Sequence, residues 1–245
     1  MDFIRRLFSD GSGPSERQIK RVLKQVIQTH GDPATRVAAM ERLAGWKIPA
    51  AATALLRRFT IQVPQETMDL EEKKYTVQLL TEMGRAAVEP ILNFLRTESE
   101  VTWPVRALRE LLPREEFLAA LKDTLERLES TYTRWPEAKV ALIEHLPDEA
   151  SPLVRETLLR FLEDEDDDVC IAAAYYLARN GDEEIRERLI ETLLNAEARP
   201  RVRGRIFELF CDREWGVKGY RKRVEEVIQE PFYLTAKGTV KRRPA

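Results

Sequence analysis

The chain has 245 residues, of which 43% are hydrophobic and 33% charged, a balance too apolar for a disordered chain and too charged for a membrane protein. No run approaches the ~20 uninterrupted apolar residues of a bilayer span, and Met1 to Asp10 carries neither the apolar core nor the small-residue cleavage site of a secretory signal. The expectation is a cytoplasmic protein without a membrane span. The formal net charge of −2 conceals segregation: residues 1–58 carry +6, residues 144–191 carry −10 and residues 199–245 carry +7. In a quasi-linear array such blocks would stay in order as a basic, acidic, basic surface.

In chain order, apolar spacing reads helical almost throughout. Ile19, Val22, Leu23, Val26 and Ile27 follow the i, i+3, i+4, i+7, i+8 rule, after a Ser15/Gln18 capping box and before Gly31. Asp32 and Pro33 supply an N-cap and an N1 proline for a helix bearing Val37, Met40 and Leu43. A helix from Pro49 precedes a loop of about Ile61 to Met68, and an Asp69/Glu72 capping box then predicts the start of a helix ending at Met83-Gly84. Further pairs follow: Val88 to Leu95 with Pro104 to Leu112, Phe117 to Leu128 with Pro136 to Leu146, Val154 to Leu162 with Val169 to Ala178, and Ile185 to Leu193 with Pro200 to Phe210. A last amphipathic helix holds Tyr220, Val224, Val227 and Ile228, and only Phe232 to Val240 reads as extended.

The pairs repeat. Pro104, Pro136 and Pro200 mark second-helix starts 32 and then 64 residues apart, with Asp168 at the intervening position. Leu43, Leu80, Leu111, Leu146, Leu177 and Leu209 recur late in each second helix, at intervals of 37, 31, 35, 31 and 32. Periods of 20 to 50 residues signal a solenoid.

The segment Glu165 to Asp182 resembles the second half of a HEAT repeat: an acidic turn, Val169, small alanines, Leu177 and a stop at Gly181. Val105-Arg106 and Val202-Arg203 resemble the family's valine-arginine step, and Pro90 its bent first helix; Cys170 stands where arginine is usual. The resemblance covers roughly Ser15 to Asp212 and implies a right-handed, all-α solenoid of about six antiparallel helical hairpins with a C-terminal capping helix. It implies a binding scaffold more often than an enzyme, the HEAT-like DNA glycosylases and phycobilin lyases being exceptions.

The domain boundaries follow: a tail and hinge over residues 1–14, with Met1 to Phe8 docking on the first hairpin, a repeat array over 15–230 and a basic tail over 231–245. Chemistry-bearing residues are sparse. His30 and His145 each sit near a helix C-terminus, where an imidazolium complements the dipole, and Cys170 and Cys211 read as buried free thiols. The run Glu163 to Asp168 lacks the glycine that a calcium loop from Asp164 needs, since Val169 stands there, so it reads as a helix cap. Trp103-Pro104 and Trp135-Pro136 read as turns closed over the neighbouring hairpin.

The expected function is a non-enzymatic adaptor without cofactor or metal, binding a charged protein through a concave face built from the second helices; the alternative is a HEAT-like nucleic-acid-binding protein or DNA-base glycosylase. Candidate binding residues are Arg106, Arg109, Tyr175, Tyr176, Arg179 and Arg203. Tyr175 and Tyr176 stand out because consecutive helical residues lie about 100° apart and cannot both enter one core stripe. A basic cluster from Arg199 to Arg205, continued by Arg221, Lys222, Arg223, Lys241, Arg242 and Arg243, is a solvated face or a contact for phosphates or an acidic protein.

Overall fold

The computed structural model describes residues 13–129, 136–147, 151–179, 181–196 and 199–244. Among the described residues the chain is almost entirely helical. Its helices are α1 (Glu16–Val26), α2 (Pro33–Gly45), α3 (Pro49–Leu56), α4 (Glu66–Glu82), α5 (Val88–Leu95), α6 (Thr102–Leu111) and α7 (Arg114–Glu129). They continue with α8 (Pro136–Glu144), α9 (Pro152–Phe161), α10 (Asp167–Arg179), α11 (Glu183–Asn195), α12 (Pro200–Asp212) and the short α13 (Arg221–Val227). Two strands follow, β1 (Phe232–Leu234) and β2 (Val240–Arg242). No helix among the described residues is long and apolar enough to cross a membrane.

Most helix starts have a local cause. The Ser15 hydroxyl accepts from the Gln18 amide and the Gln18 side chain accepts from the Ser15 amide, which satisfies two otherwise unpaired donors of α1. Asp32 caps α2 ahead of an N1 proline, Ser151 does the same for α9, and Asp182 caps α11. The second helices α6, α8, α10 and α12 begin 34, 31 and 33 residues apart, close to the spacing of the prolines. Two expectations shift. Helix α6 starts at Thr102, so Pro104 is its third residue, still within the turn whose amides lack helical partners. Helix α4 starts at Glu66, with Gln65 as an N-cap that makes no side-chain bond, so Asp69 and Glu72 form no capping box.

The chain divides into two compact units, up to Thr124 and from Leu125 onward, with the boundary inside α7. In the first unit the hairpins α1/α2 and α5/α6 and the pair α3/α4 build two layers. Helix α3 packs against α1 and α5, and α4 packs against α2 and α6. Met40, Leu43, Leu55, Leu80, Ile91 and Leu108 are completely buried between the layers. Gly84, at φ 63°, turns the chain out of α4 in a conformation that only glycine adopts without strain.

In the second unit α10 is central. It contacts α8 and α12 on its flanks and α9 and α11 in the other layer. Val169, Cys170, Ala173, Ala174, Tyr176 and Ala178 are buried around much of its circumference.

The segment 231–245, expected as a basic tail, is instead folded through residue 244. Strands β1 and β2 pair antiparallel in the register Phe232↔Arg242, Tyr233↔Lys241 and Leu234↔Val240, and β2 packs on α12. The cause is aromatic. Phe232 stacks on Phe207 of α12 with centroids 5.4 Å apart, and Trp215 meets Phe210 edge-on at 5.5 Å. Residues Met1 to Phe8, Gly11, Ser12 and Trp135, on which sequence expectations rest, lie outside the described residues.

Candidate functional site

Helix α10 carries half of the expected site, Tyr175, Tyr176 and Arg179. Its cap is Asp166, whose carboxylate accepts from the amides of Asp168 (2.9 Å) and Val169 (3.1 Å), while Asp164 accepts from the Asp166 amide (3.0 Å). The acidic run is therefore a helix cap. With α8, α9, α11 and α12 around it, α10 leaves a single stripe at least partly open: Asp168, Ile171, Ala172, Tyr175 and Arg179, at i, i+3, i+4, i+7 and i+11.

The two tyrosines divide accordingly. Tyr176 is buried at 3% exposure, with the Arg179 guanidinium 5.6 Å from its ring centre. Tyr175 is half-buried on the stripe, near Arg205 and Glu208 of α12. Burial raises the Tyr175 phenol above its ordinary pKa, and the nearby Glu208 carboxylate adds to the effect. Arg205 also donates to Glu208 at 2.7 Å, and Arg213 donates to the Arg179 carbonyl at 2.9 Å. Tyr175, Arg179 and Arg205 thus share one face of the second unit.

The remaining expected residues do not join that face. Arg203 lies two residues from Arg205, about 160° round the helix, and is half-buried with Nε and Nη2 unpaired. Arg106 and Arg109 belong to the first unit. Both are exposed, with Arg106 stacked 4.7 Å over Trp103 and Arg109 5.6 Å over Phe117. Trp103 is thus a platform for a cation in its own helix.

The charge blocks do not remain apart. Arg199 of the basic block donates to Asp167 (2.7 Å) and to the Asp164 carbonyl (2.8 Å), and Arg201 pairs with Asp168. Lys139 reaches Asp164 at 2.8 Å, and Arg155 grips Asp182 with two bonds of 2.8 and 2.9 Å and Glu184 with a third. Arg188 bridges Glu163 and Glu191 beside a cleft of about 220 Å³ between α11 and the start of α12. Three cations from outside the acidic block, Lys139, Arg199 and Arg201, pair with it across 25 to 33 residues, while the pairs of Arg155 and Arg188 lie within it. The C-terminal basic block thus touches the acidic block where Arg199 and Arg201 meet Asp167 and Asp168.

Sequence reasoning missed the most unusual side-chain cluster. In the first unit the Glu72 carboxylate accepts from Arg36 through Nε and Nη2 (2.7 Å each) and from Arg58 Nε (2.8 Å). Asp69 accepts from Arg58 Nη2 (2.8 Å) and the Val63 amide (3.1 Å) and pairs with Lys73 (2.8 Å). Arg36, Arg58, Asp69 and Glu72 are all at most 5% exposed. Although burial opposes ionisation, the guanidiniums hold Glu72 below its ordinary pKa, and Lys73 with Arg58 does the same for Asp69. The available signal was that Asp69, Glu72, Thr76, Leu80 and Met83 form one helical stripe, so both acids extend the core face. Enclosed and fully paired, the cluster fixes the packing of α2, α3 and α4.

Cys170 is buried, with its thiol donating to the Leu162 carbonyl and its pKa pushed up to about 11 by burial; Cys211 is half-buried, and both are free. The His145 ring nitrogen Nδ1 lies 2.7 Å from the Ala141 carbonyl. No group of three or more histidine, cysteine, aspartate or glutamate residues among those described is placed to hold a metal ion. No family model, curated protein or solved structure matches the chain significantly.

Proposed function

We propose that the hairpins form a HEAT-like α-solenoid acting as a non-enzymatic scaffold, and that the second helices present the docking face to a protein partner. The observation that carries this reading is the layer order within each unit. Second helices pack on second helices, α2 on α4 on α6 and α8 on α10 on α12, as stacked repeats do. On α10 that order leaves a stripe with apolar members, Ile171, Ala172 and Tyr175, between Asp168 and Arg179. A half-buried tyrosine beside two arginines has the composition of a binding hot spot. The paired charge blocks favour a partner held by this mixed apolar and polar stripe over one held by bulk electrostatics.

A photo-crosslinking side chain placed at Tyr175, and in a control at the exposed Glu187 of α11, tests the reading in the native cell. A stoichiometric adduct with one protein from position 175 and none from 187 is expected. Equal capture at both positions, or none at 175, overturns it.

A further inference from the structure

Most of the basic residues near the C-terminus have acidic partners. Arg199, Arg201 and Arg205 are engaged by Asp167, Asp168 and Glu208, Lys241 pairs with Glu214 at 2.6 Å, and Arg243 pairs with Glu230. Arg221 pairs with Glu225 at 2.8 Å and donates to the carbonyls of Thr235 (3.4 Å) and Ala236 (2.9 Å). Among the described residues near the C-terminus five exposed cations make no ion pair: Arg213, whose guanidinium donates to the Arg179 carbonyl, and Lys218, Lys222, Arg223 and Lys237.

The last four lie on two neighbouring turns and the helix between them. Lys218 and Lys237 sit in two turns that abut, where the Val217 amide donates to the Gly238 carbonyl at 2.9 Å and Gly216 bridges Thr239. Both turns depend on glycines in the left-handed region, Gly219 at φ 86° and Gly238 at φ 79°. Arg221 ties the start of α13 to the same hairpin turn, which brings Lys222 next to it, while Arg223, two residues from Arg221, leaves the helix about 160° further round. Over residues 213–244 there are nine basic residues against four acidic, a net +5. The hairpin also exposes Tyr233 of β1, a π-face on the same small module.

We propose that this C-terminal module, formed by the 216–220 turn, α13 and the β-hairpin, binds single-stranded nucleic acid. Lys218, Lys222, Arg223 and Lys237 contact the phosphate backbone and Tyr233 stacks on a base, without sequence reading. Cations around a rigid pair of turns with one exposed aromatic match the combination by which single strands are held. An anionic membrane would call for an apolar face to insert, and among the described residues Tyr233 is the module's one exposed large apolar side chain. The residues proposed here are not those of the α10 stripe, and the proposal does not depend on the scaffold reading.

Fluorescence anisotropy of the full chain with a labelled 15-nucleotide oligo-uridine tests the proposal. Four phosphate contacts predict that log K falls with log salt at a slope of about −3, hence about 50-fold between 50 and 200 mM salt. The quadruple variant Lys218→Gln, Lys222→Gln, Arg223→Gln and Lys237→Gln loses at least ~30-fold at 50 mM salt, and Tyr233→Ala loses about tenfold. The charge-matched variant Arg17→Gln, Arg21→Gln, Lys24→Gln and Lys47→Gln, all on exposed positions of the first unit, stays within threefold of the parent. Because every substituted lysine and arginine is exposed, thermal melts of both quadruple variants coincide with that of the parent. Any of four results overturns the proposal: no binding at 50 mM salt, equal loss in the two quadruple variants, tighter binding to duplex DNA of the same length, or tighter binding to an acidic peptide or phosphatidylserine vesicles.

Discussion

Arg36 and Glu72, 36 residues apart in the chain, meet inside the first unit through two parallel bonds of 2.7 Å, with both side chains at most 5% exposed. The third Arg36 nitrogen donates to the Gln28 carbonyl just beyond α1 at 2.9 Å, so the pair joins the first hairpin to α4. Removing one member of such a pair leaves the other charge buried without compensation. Glu72→Gln is therefore expected to cost about 3–5 kcal/mol, read as a lowered urea midpoint with an unchanged slope. A midpoint equal to the parent's would mean that the pair is not buried in solution.

The acid limb of stability has a defined sign. Asp69 and Glu72 are held below their ordinary pKa values, and Asp182 is lowered to about 2, chiefly by the two bonds from Arg155 and then by the Ile185 amide. For each, the folded state binds its proton less readily than the unfolded chain does. Their stabilisation is fully present above the ordinary carboxylate range and is lost as pH falls through the folded values. For Asp182 the window runs from about pH 4 to about pH 2. Arg155→Gln should move the Asp182 carboxyl upward in an NMR titration, yet not fully to its ordinary value, because the helix-capping bond from Ile185 at 3.1 Å remains. A full return to the ordinary value would assign the whole shift to Arg155.

These residues also show what a sequence discloses. The starts of α1, α2 and α12 were legible because Ser15, Asp32 and Pro200 act on amides or dihedrals within three residues. Asp69 and Glu72 have the spacing of a capping box and of a core stripe alike. What decides between the two is the presence of Arg58 and Arg36, brought from 14 and 36 residues away by packing. The same limit applies to the site. Tyr175 and Tyr176 are distinguished only by the neighbours of α10, and the isolation of Arg203 from Arg205 follows from helical angle once both ends of α12 are fixed. The pairs that Arg199 and Arg201 make with Asp167 and Asp168 were hidden because they span 32 and 33 residues.

Gly181, in the turn between α10 and α11, leaves room for Trp215. A Cβ added there would lie 2.8 Å from Trp215 Cη2, 3.1 Å from Ile185 Cγ2 and 3.2 Å from the Leu177 carbonyl. Two of those neighbours are held, Leu177 by its helix and Trp215 by its edge contact with Phe210. Gly181→Ala is expected to destabilise the second unit by about 1–3 kcal/mol. Gly181→Ala with Trp215→Phe should recover part of the loss in a thermal melt; a double variant weaker than the sum of the singles would contradict the contact.

Tyr175 and Tyr176 provide the sharpest separation of packing from binding, since they adjoin in sequence but face different surroundings. Tyr176 fills a packed position, and truncating a buried aromatic leaves a cavity; Tyr176→Ala should cost about 3 kcal/mol. The Tyr175 ring is only half-buried, so Tyr175→Ala should cost only about 1 kcal/mol. On the scaffold reading, binding falls in the opposite order. Partner capture is lost with Tyr175→Ala, while Tyr176→Ala, assayed at a temperature where it stays folded, retains it. If both variants lose capture in proportion to their loss of stability, the stripe on α10 contributes to folding alone and the docking face lies elsewhere.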